Sequence, residues 1–341
     1  MKKLRVGIIG CGRISEIYAK AFKSLQNKID VCFAVDIRAE RAKKFSENFK
    51  DCEYSANFDD ILMQNLDVVH ICTPHYQHKQ QTVACLEAGI NVLCEKPIAT
   101  TLEDANQMIA ACSDTGKKLG IIFQNRYSDA SIAMKKAIDS GSIGKVTGAW
   151  STLNWHRPPS YYECDWKGRY ATEGGGVLID QAIHSLDLVR WLIGSDCVWI
   201  QGHTDNRVLK SVEVEDIAEA VMGFENGCLY SMYACNYYVN NSPVELKISG
   251  EKGYAHLIGS NAEIKTEAGT HTVNSENGTE HYWGNSHTKQ IEEFYYNILQ
   301  DTPVIVNAIE GKKTLEMVLG VYSSSKKNQR IYLKYSLNNT I

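Results

Sequence analysis

The sequence predicts an α/β protein in two parts: an N-terminal doubly wound parallel sheet, then an α+β domain with a large, open, mostly antiparallel sheet. Three observations carry this. Short apolar runs alternate with helical patterns as far as Phe123, the pattern that builds a parallel sheet. From Val198 to about Val273 a two-residue alternation takes over, the mark of half-buried strands. The length of 341 residues is too great for one compact core and suits two domains. The division falls at 1–123 and 124–341, with the last helix able to pack back on the first domain.

The first strand, Leu4 to Ile9, ends in Gly10-Cys11-Gly12-Arg13-Ile14-Ser15, and helical periodicity follows at Ile17, Ala21, Phe22 and Leu25. A strand, a glycine turn and a helix are what a dinucleotide pyrophosphate needs. Glycines admit the backbone closely, and the helix start offers N–H groups and positive potential. Ser15 replaces the third glycine of the usual motif and is small enough for close packing. Gly10, Gly12, Arg13 and Ile14 are therefore candidate cofactor contacts in a Rossmann domain. The second strand, Ile29 to Val35, ends in Asp36, 24 residues after Gly12, where a carboxylate grips the adenosine ribose hydroxyls. The same charge repels a 2′-phosphate, so NAD is expected over NADP. Arg38 is the one residue nearby suited to a phosphate, or else a solvated charge opening the next helix.

Strands at Val68–Cys72, Asn91–Cys94 and Leu119–Phe123 are separated by helices at His75–Ala88 and Leu102–Thr115. The turns after them, Thr73-Pro74 and Glu95-Lys96-Pro97, should line the cofactor crevice beyond the strand ends, which places Lys96 where nicotinamide and substrate meet. Asn125, just past the last of these strands, joins the cofactor candidates.

In the second domain a helix is expected over Ser131–Ser140 and a strand over Val146–Trp155. A polar aromatic loop follows, with Arg157, Tyr161, Tyr162, Trp166 and Arg169 suited to stacking on a sugar ring. Gly174–Gly176 then leads into a helix carrying Asp180, His184 and Asp187. Residues four apart share a helix face, so Asp180 can hold the His184 imidazole and His184 can take a hydroxyl proton. An unperturbed imidazole titrates near ~6.5 and a free lysine near ~10.4, which favours His184 as base and Lys96 as a steadying cation. The glycines read as room for a ligand to approach. Strands at Asp216–Phe224, Cys228–Tyr238 and Val244–Ser249, turning at Asn226-Gly227 and Glu251-Lys252-Gly253, leave one sheet face uncovered by any helix pattern. A homodimer or homotetramer built on that face is expected. Helices at Ser286–Leu299 and Ala308–Lys327 close the chain.

The composition narrows the class. Hydrophobic content of 44% and charged content of 22% are ordinary for a globular protein, and a net charge of −4 without a long run of one sign offers no face for nucleic acid. The 11 cysteines never take CxxC spacing, which points to reduced thiols, no metal site and a cytoplasmic protein. No apolar stretch has the length of a signal peptide or membrane span.

Taken together, VGIIGCGRI, Asp36, Thr73-Pro74 with His78, Glu95-Lys96-Pro97 and GGGVLIDQAIHSLD resemble the Gfo/Idh/MocA oxidoreductases across nearly the whole chain. The resemblance implies Lys96, Asp180 and His184 as the catalytic group, and Thr73, Pro74, His78 and Glu95 along the cofactor. Trp166 and Lys167 match a stretch that, in sugar-oxidising members, reaches over the nicotinamide. It implies hydride transfer between NAD and a secondary alcohol of a sugar, sugar derivative or cyclitol, with Lys96, Arg157, Tyr161, Trp166, Arg169, Asp180 and His184 on the substrate side. Two other readings remain open. One is a redox-neutral enzyme that retains NAD and works through a transient 3-keto sugar, as in glycoside cleavage. The other is a non-catalytic sugar or NAD sensor, which would have no need of an intact acid–base group.

Overall fold

The computed structural model describes residues 3–275 and 285–333, and two compact units emerge from it. The first comprises Met1–Gln124 with Asn285–Lys312, the second Asn125–Gly284 with Lys313–Ile341. This division is discontinuous, unlike the contiguous segments 1–123 and 124–341.

The first unit contains β1 (Leu4–Ile9), α1 (Ser15–Ser24), β2 (Ile29–Val35), α2 (Ala39–Ser46), β3 (Glu53–Ser55), α3 (Asp59–Leu62) and β4 (Val68–Ile71). It continues through α4 (His78–Glu87), β5 (Asn91–Cys94), α5 (Leu102–Thr115) and β6 (Leu119–Ile121). The six strands are parallel, in the order β3-β2-β1-β4-β5-β6. Strand order reverses between β1 and β4, the switch point at which such sheets bind ligands. Helices cover both faces of the sheet, and every residue of the central strand β4 is buried, His70 included. The bounds of α5 are written locally: the Thr101 hydroxyl accepts the Asp104 N–H at 3.1 Å, and Gly116 closes the helix at φ +64°.

The second unit holds α6 (Asp129–Asp139), β7 (Val146–Asn154), α7 (Tyr170–Glu173), a π-helical turn over Leu178–Ala182, and α8 (Ile183–Ile193). Its remaining strands are β8 (Cys197–Asp205), β9 (Ile217–Phe224), β10 (Leu229–Cys235), β11 (Glu245–Gly250), β12 (Tyr254–Ile258), β13 (Asn261–Thr266) and β14 (Gly269–Asn274). After them along the chain come α9 (Ser286–Leu299) of the first unit, α10 (Ala308–Lys327), which begins in the first unit and continues in the second, and β15 (Ile331–Tyr332) of the second. Nine strands form one sheet, β14-β13-β12-β11-β7-β10-β9-β8-β15, antiparallel except where β7 runs parallel to β10. The inner face carries Ala218, Ala220, Met222, Tyr230, Met232, Leu246 and Ile248. The outer face is not broadly apolar: one row across paired strands reads Gln201, Val221, Ser231, Trp150, Lys247, His256, Glu263. An apolar outer face therefore gives no argument for self-association.

The segment that rejoins the first unit is α9, the helix before the last. Its Ile291, Phe294 and Tyr295 enter the core of β1, α1 and β2, and Tyr295 places its hydroxyl 2.7 Å from the His70 ring. Gln290 accepts the Phe123 N–H at 3.0 Å and donates to the Ile121 carbonyl at 2.8 Å, closing the outer edge of β6. Among the described residues no helix is long and apolar enough to cross a membrane.

Candidate active site

The glycine turn of the first unit separates two reasons for a glycine. Gly10 has φ +91°, and a Cβ there would stand 2.7 Å from the Cys72 carbonyl group, so the protein itself requires it. At Gly12 a Cβ would meet no protein atom within 4 Å. Packing makes no demand there, which fits a backbone left bare for a ligand. Ser15 turns its hydroxyl onto the Gly12 carbonyl at 2.6 Å and opens α1. Asp36, buried at the end of β2, accepts the Cys11 N–H at 2.8 Å and the Arg38 N–H at 2.9 Å. Backbone amides thus hold its carboxylate against the glycine turn, where ribose hydroxyls can donate to it. Arg13 and Arg38 are exposed, and Ile14 is half-buried. These features fit an adenine dinucleotide.

Of the two turns beyond β4 and β5, the side chains fall into two groups. Thr73, Pro74 and Lys96 keep partial exposure, whereas His78 and Glu95 are buried. The His78 ring stands 2.7 Å from the Pro97 carbonyl and 2.9 Å from that of Thr73, tying one turn to the other. Burial lowers its pKa, while the two carbonyls act to raise it. Glu95 accepts the Tyr18 hydroxyl at 2.8 Å and the Lys96 N–H at 3.3 Å. Both residues brace the turns from behind.

In the second unit, Asp180 and His184 do not lie on one regular α-helix. Asp180 sits in the π-helical turn, and His184 stands in the first turn of α8. Such turns re-aim side chains and occur at functional sites. From Val177 to Arg190 every residue is buried except His184. Asp180 Oδ2 accepts three hydrogen bonds: from Lys167 Nζ at 2.5 Å, Gln181 Nε2 at 2.7 Å and the Tyr161 hydroxyl at 2.8 Å. Lys167 also pairs with Glu173 at 3.0 Å, and Glu173 accepts the Gly168 N–H at 2.6 Å. The network runs on through Asn236, which donates to Gln181 at 3.0 Å and to the Tyr162 hydroxyl at 3.1 Å.

Two carboxylates share one buried ammonium here. Burial pushes Glu173 up to about 7, with the Asp180 charge adding to the effect. Burial acts to lower Lys167, yet Asp180, Tyr161 and Glu173 together hold it above the usual lysine range. Lys167 is therefore a committed cation, and its Nζ also lies 4.4 Å from the Trp166 ring centroid and 4.7 Å from that of Tyr161.

The remaining candidates scatter more. Arg157 stacks over Trp155 at 4.5 Å and Tyr161 at 5.2 Å, joining the edge of the cluster. Arg169 is exposed and reaches the Asp165 carbonyl at 3.4 Å, outside it. Asn125 lies half-buried in the turn Gln124–Tyr127. Asp187 accepts Arg126 at 2.6 and 2.7 Å and Thr314 at 2.9 Å, a buried structural pair. Glu173, Gln181 and Asn236 escape sequence reasoning; only the adjacency of Gln181 to Asp180 offered a signal. The glycine run also has a different cause from ligand access: a Cβ at Gly176 would run into the Glu215 carbonyl, and one at Gly175 into the Tyr322 hydroxyl.

Comparison with known proteins identifies the family. Residues 4–123 match the family model described as "Oxidoreductase family, NAD-binding Rossmann fold", and residues 132–256 match the C-terminal domain model of the same GFO/IDH/MocA family. Myo-inositol 2-dehydrogenase of Thermotoga maritima is 25% identical, covering 97% of this chain and 99% of its own. D-glucoside 3-dehydrogenase of Escherichia coli is likewise 25% identical over 97% of each chain. The WlbA dehydrogenase of Bordetella pertussis, solved with NADH and UDP-GlcNAcA, superposes at TM-score 0.86 with 26% identity, covering 98% of this chain and all of its own.

Proposed function

The chain belongs to the Gfo/Idh/MocA family, NAD-dependent dehydrogenases acting on CH–OH groups, and within it we propose the reversible oxidation of a secondary alcohol on a sugar, sugar derivative or cyclitol. The observation that carries this reading is His184, the one residue short of burial on an otherwise buried helical run that begins beside the Asp180 network. Bound NAD would supply the hydride acceptor. Gly10, Gly12 and Asp36 would hold its adenosine half, with Thr73, Pro74 and the backbone of the Glu95-Lys96-Pro97 turn beside the remainder.

On the substrate side, His184 takes the hydroxyl proton as the C–H bond breaks, and Lys96 steadies the developing alkoxide. Asp180, four positions earlier on the same run, orients the imidazole. Lys167, placed by the family resemblance over the nicotinamide, acts instead through Asp180: its ammonium fixes the carboxylate and balances the buried charge. Tyr161, Trp166 and Arg157 offer aromatic faces and a cation to the sugar ring. We further assign the protein to the cytoplasm; light scattering at micromolar concentration decides between a monomer and the homodimer or homotetramer expected from the sequence.

The test is NADH absorbance over a panel of myo-inositol, levoglucosan and methyl glucosides, with cofactor analysis of the purified protein. Steady NADH formation supports the reading. Tightly held NAD and turnover without added NAD point to the redox-neutral enzyme, and neither result points to a sensor. A pH–rate profile then assigns the base. The ascending limb should vanish in His184→Ala; if it survives there and is lost only on changing Lys96, lysine is the base.

A further inference from the structure

The run of glycines before the π-helical turn has a partner that the reaction scheme leaves unused. Three successive amides, Gly176, Val177 and Leu178, all donate to Glu215. Gly176 reaches Oε2 at 2.8 Å, Val177 the main-chain carbonyl at 3.1 Å, and Leu178 Oε1 at 3.0 Å. They are the amides at a helix start that no earlier turn can satisfy. Tyr322, from the second-unit part of α10, donates its hydroxyl to Oε1 at 2.8 Å. Glu215 is buried and sits just ahead of β9. Gly175 and Gly176 permit this close approach, since a side chain at either would strike Tyr322 or Glu215.

We infer that Glu215 is a positioning residue: with Tyr322, its carboxylate anchors the entrance of the helical run and so sets where Asp180 and His184 stand. The inference rests on the roles proposed for those two residues. The chemistry favours a carboxylate specifically. Both of its oxygens face donors, and negative charge at a helix start is favourable. A glutamine in its place would turn an NH2 toward one of those donors and lose an acceptor. Asp180 lies only four positions after Gly176, and its N–H donates to the Gly176 carbonyl at 3.0 Å. A shift of the anchored turn is therefore handed directly to the carboxylate.

The test uses the full chain with Glu215→Gln and Tyr322→Phe. Three readouts are taken: amide exchange by residue, the His184 imidazole resonance (identified by its loss in His184→Asn), and kcat on whichever panel polyol the wild type oxidises. In Glu215→Gln the amides of Gly176 and Leu178 should exchange roughly ten- to a hundredfold faster, the loss of one hydrogen bond to a charged group. Amides of β1 and α1 should not change. The His184 resonance should shift and kcat fall by about tenfold, with the KM for NAD unaltered. Tyr322→Phe should move each readout the same way by less, and it decides the matter if Glu215→Gln does not fold. Unchanged exchange in both variants overturns the anchor. Faster exchange with an unmoved His184 resonance and kcat overturns positioning and leaves a structural role. If the wild type oxidises none of the polyols, the function reading fails, while exchange and the imidazole signal still decide the anchor.

Discussion

The two units solve recognition with different materials. In the first, the backbone forms the candidate site: Gly10 and Gly12 shape it, and Asp36 is held by two amide N–H groups. In the second, side chains from distant positions converge, with Lys167, Glu173, Asp180, Gln181, Tyr161 and Asn236 linked by hydrogen bonds of 3.1 Å or less. A backbone site needs few residues at fixed spacing. A side-chain site depends on charge balance among buried groups, and one substitution can unbalance it. Burial also shifts titratable groups within each unit. In the first it drives the His70 imidazole down to about 3. The second holds carboxyls that burial drives up, Glu173 and Glu215 each to about 7.

The largest effect should come from His184→Ala, with turnover lower by roughly a hundredfold to ten-thousandfold and NAD affinity nearly unchanged. Stopped-flow NADH formation and cofactor titration read the two separately; a parallel loss of NAD affinity would break the contrast between units.

Lys167→Met should come next, because it strands Glu173 and Asp180 together without their cation. Removing one member of such a buried pair costs ~3–5 kcal/mol, read as a lower midpoint in urea unfolding. Adding Glu173→Gln should recover part of the loss, since one buried charge is then gone. A double variant no more stable than the single would show that the carboxylates are not in competition.

A pair of glycine substitutions sharpens the distinction between ligand-driven and packing-driven glycines. Gly176→Ala should destabilise the fold by a kcal/mol or more, about the cost of forced overpacking. Gly12→Ala should leave thermal stability nearly intact while weakening NAD binding by roughly tenfold or more, ~1.4 kcal/mol. Equal melting temperatures for the two variants would contradict the packing argument.

The buried titratable groups predict opposite pH windows. His70 is depressed in the folded state, so its share of stability is present above the unfolded imidazole value of ~6.5 and is lost as pH falls toward about 3. Glu173 is raised, so its share is present below the unfolded carboxyl value of ~4.3 and is lost as pH rises through about 7. Local opening measured by hydrogen exchange should therefore grow toward acid for β4 and toward neutral and alkaline pH for the segment around Gly168 and Glu173. The same direction in both segments would refute the assignment.

The smallest effect is expected from Asp36→Ser, which should narrow the preference for NAD over NADP by about tenfold, the value of one charge-assisted hydrogen bond. Matched cofactor titrations measure it. Equal binding of both cofactors by the unaltered protein would remove its premise.

The legibility of the sequence follows the same divide. Local rules determine β1, the glycine turn, Asp36 and α5, because strand periodicity, positive-φ glycine and helix caps act over a few neighbouring residues. The observed helices Leu102–Thr115, Ser286–Leu299 and Ala308–Lys327 have the bounds their patterns predict. Lys96, Asp180 and His184 could be singled out from motifs alone. Tertiary structure alone decided that α9 belongs with the first unit, that His78 and Glu95 are buried behind their turns, and that Lys167 pairs with Asp180. It also supplied the π-helical turn and showed that Gly175 and Gly176 answer to Tyr322 and Glu215. Each of these depends on which residues, tens or hundreds of positions apart, are brought within a few ångströms. No local pattern records that, because burial and charge pairing are properties of the packed neighbourhood.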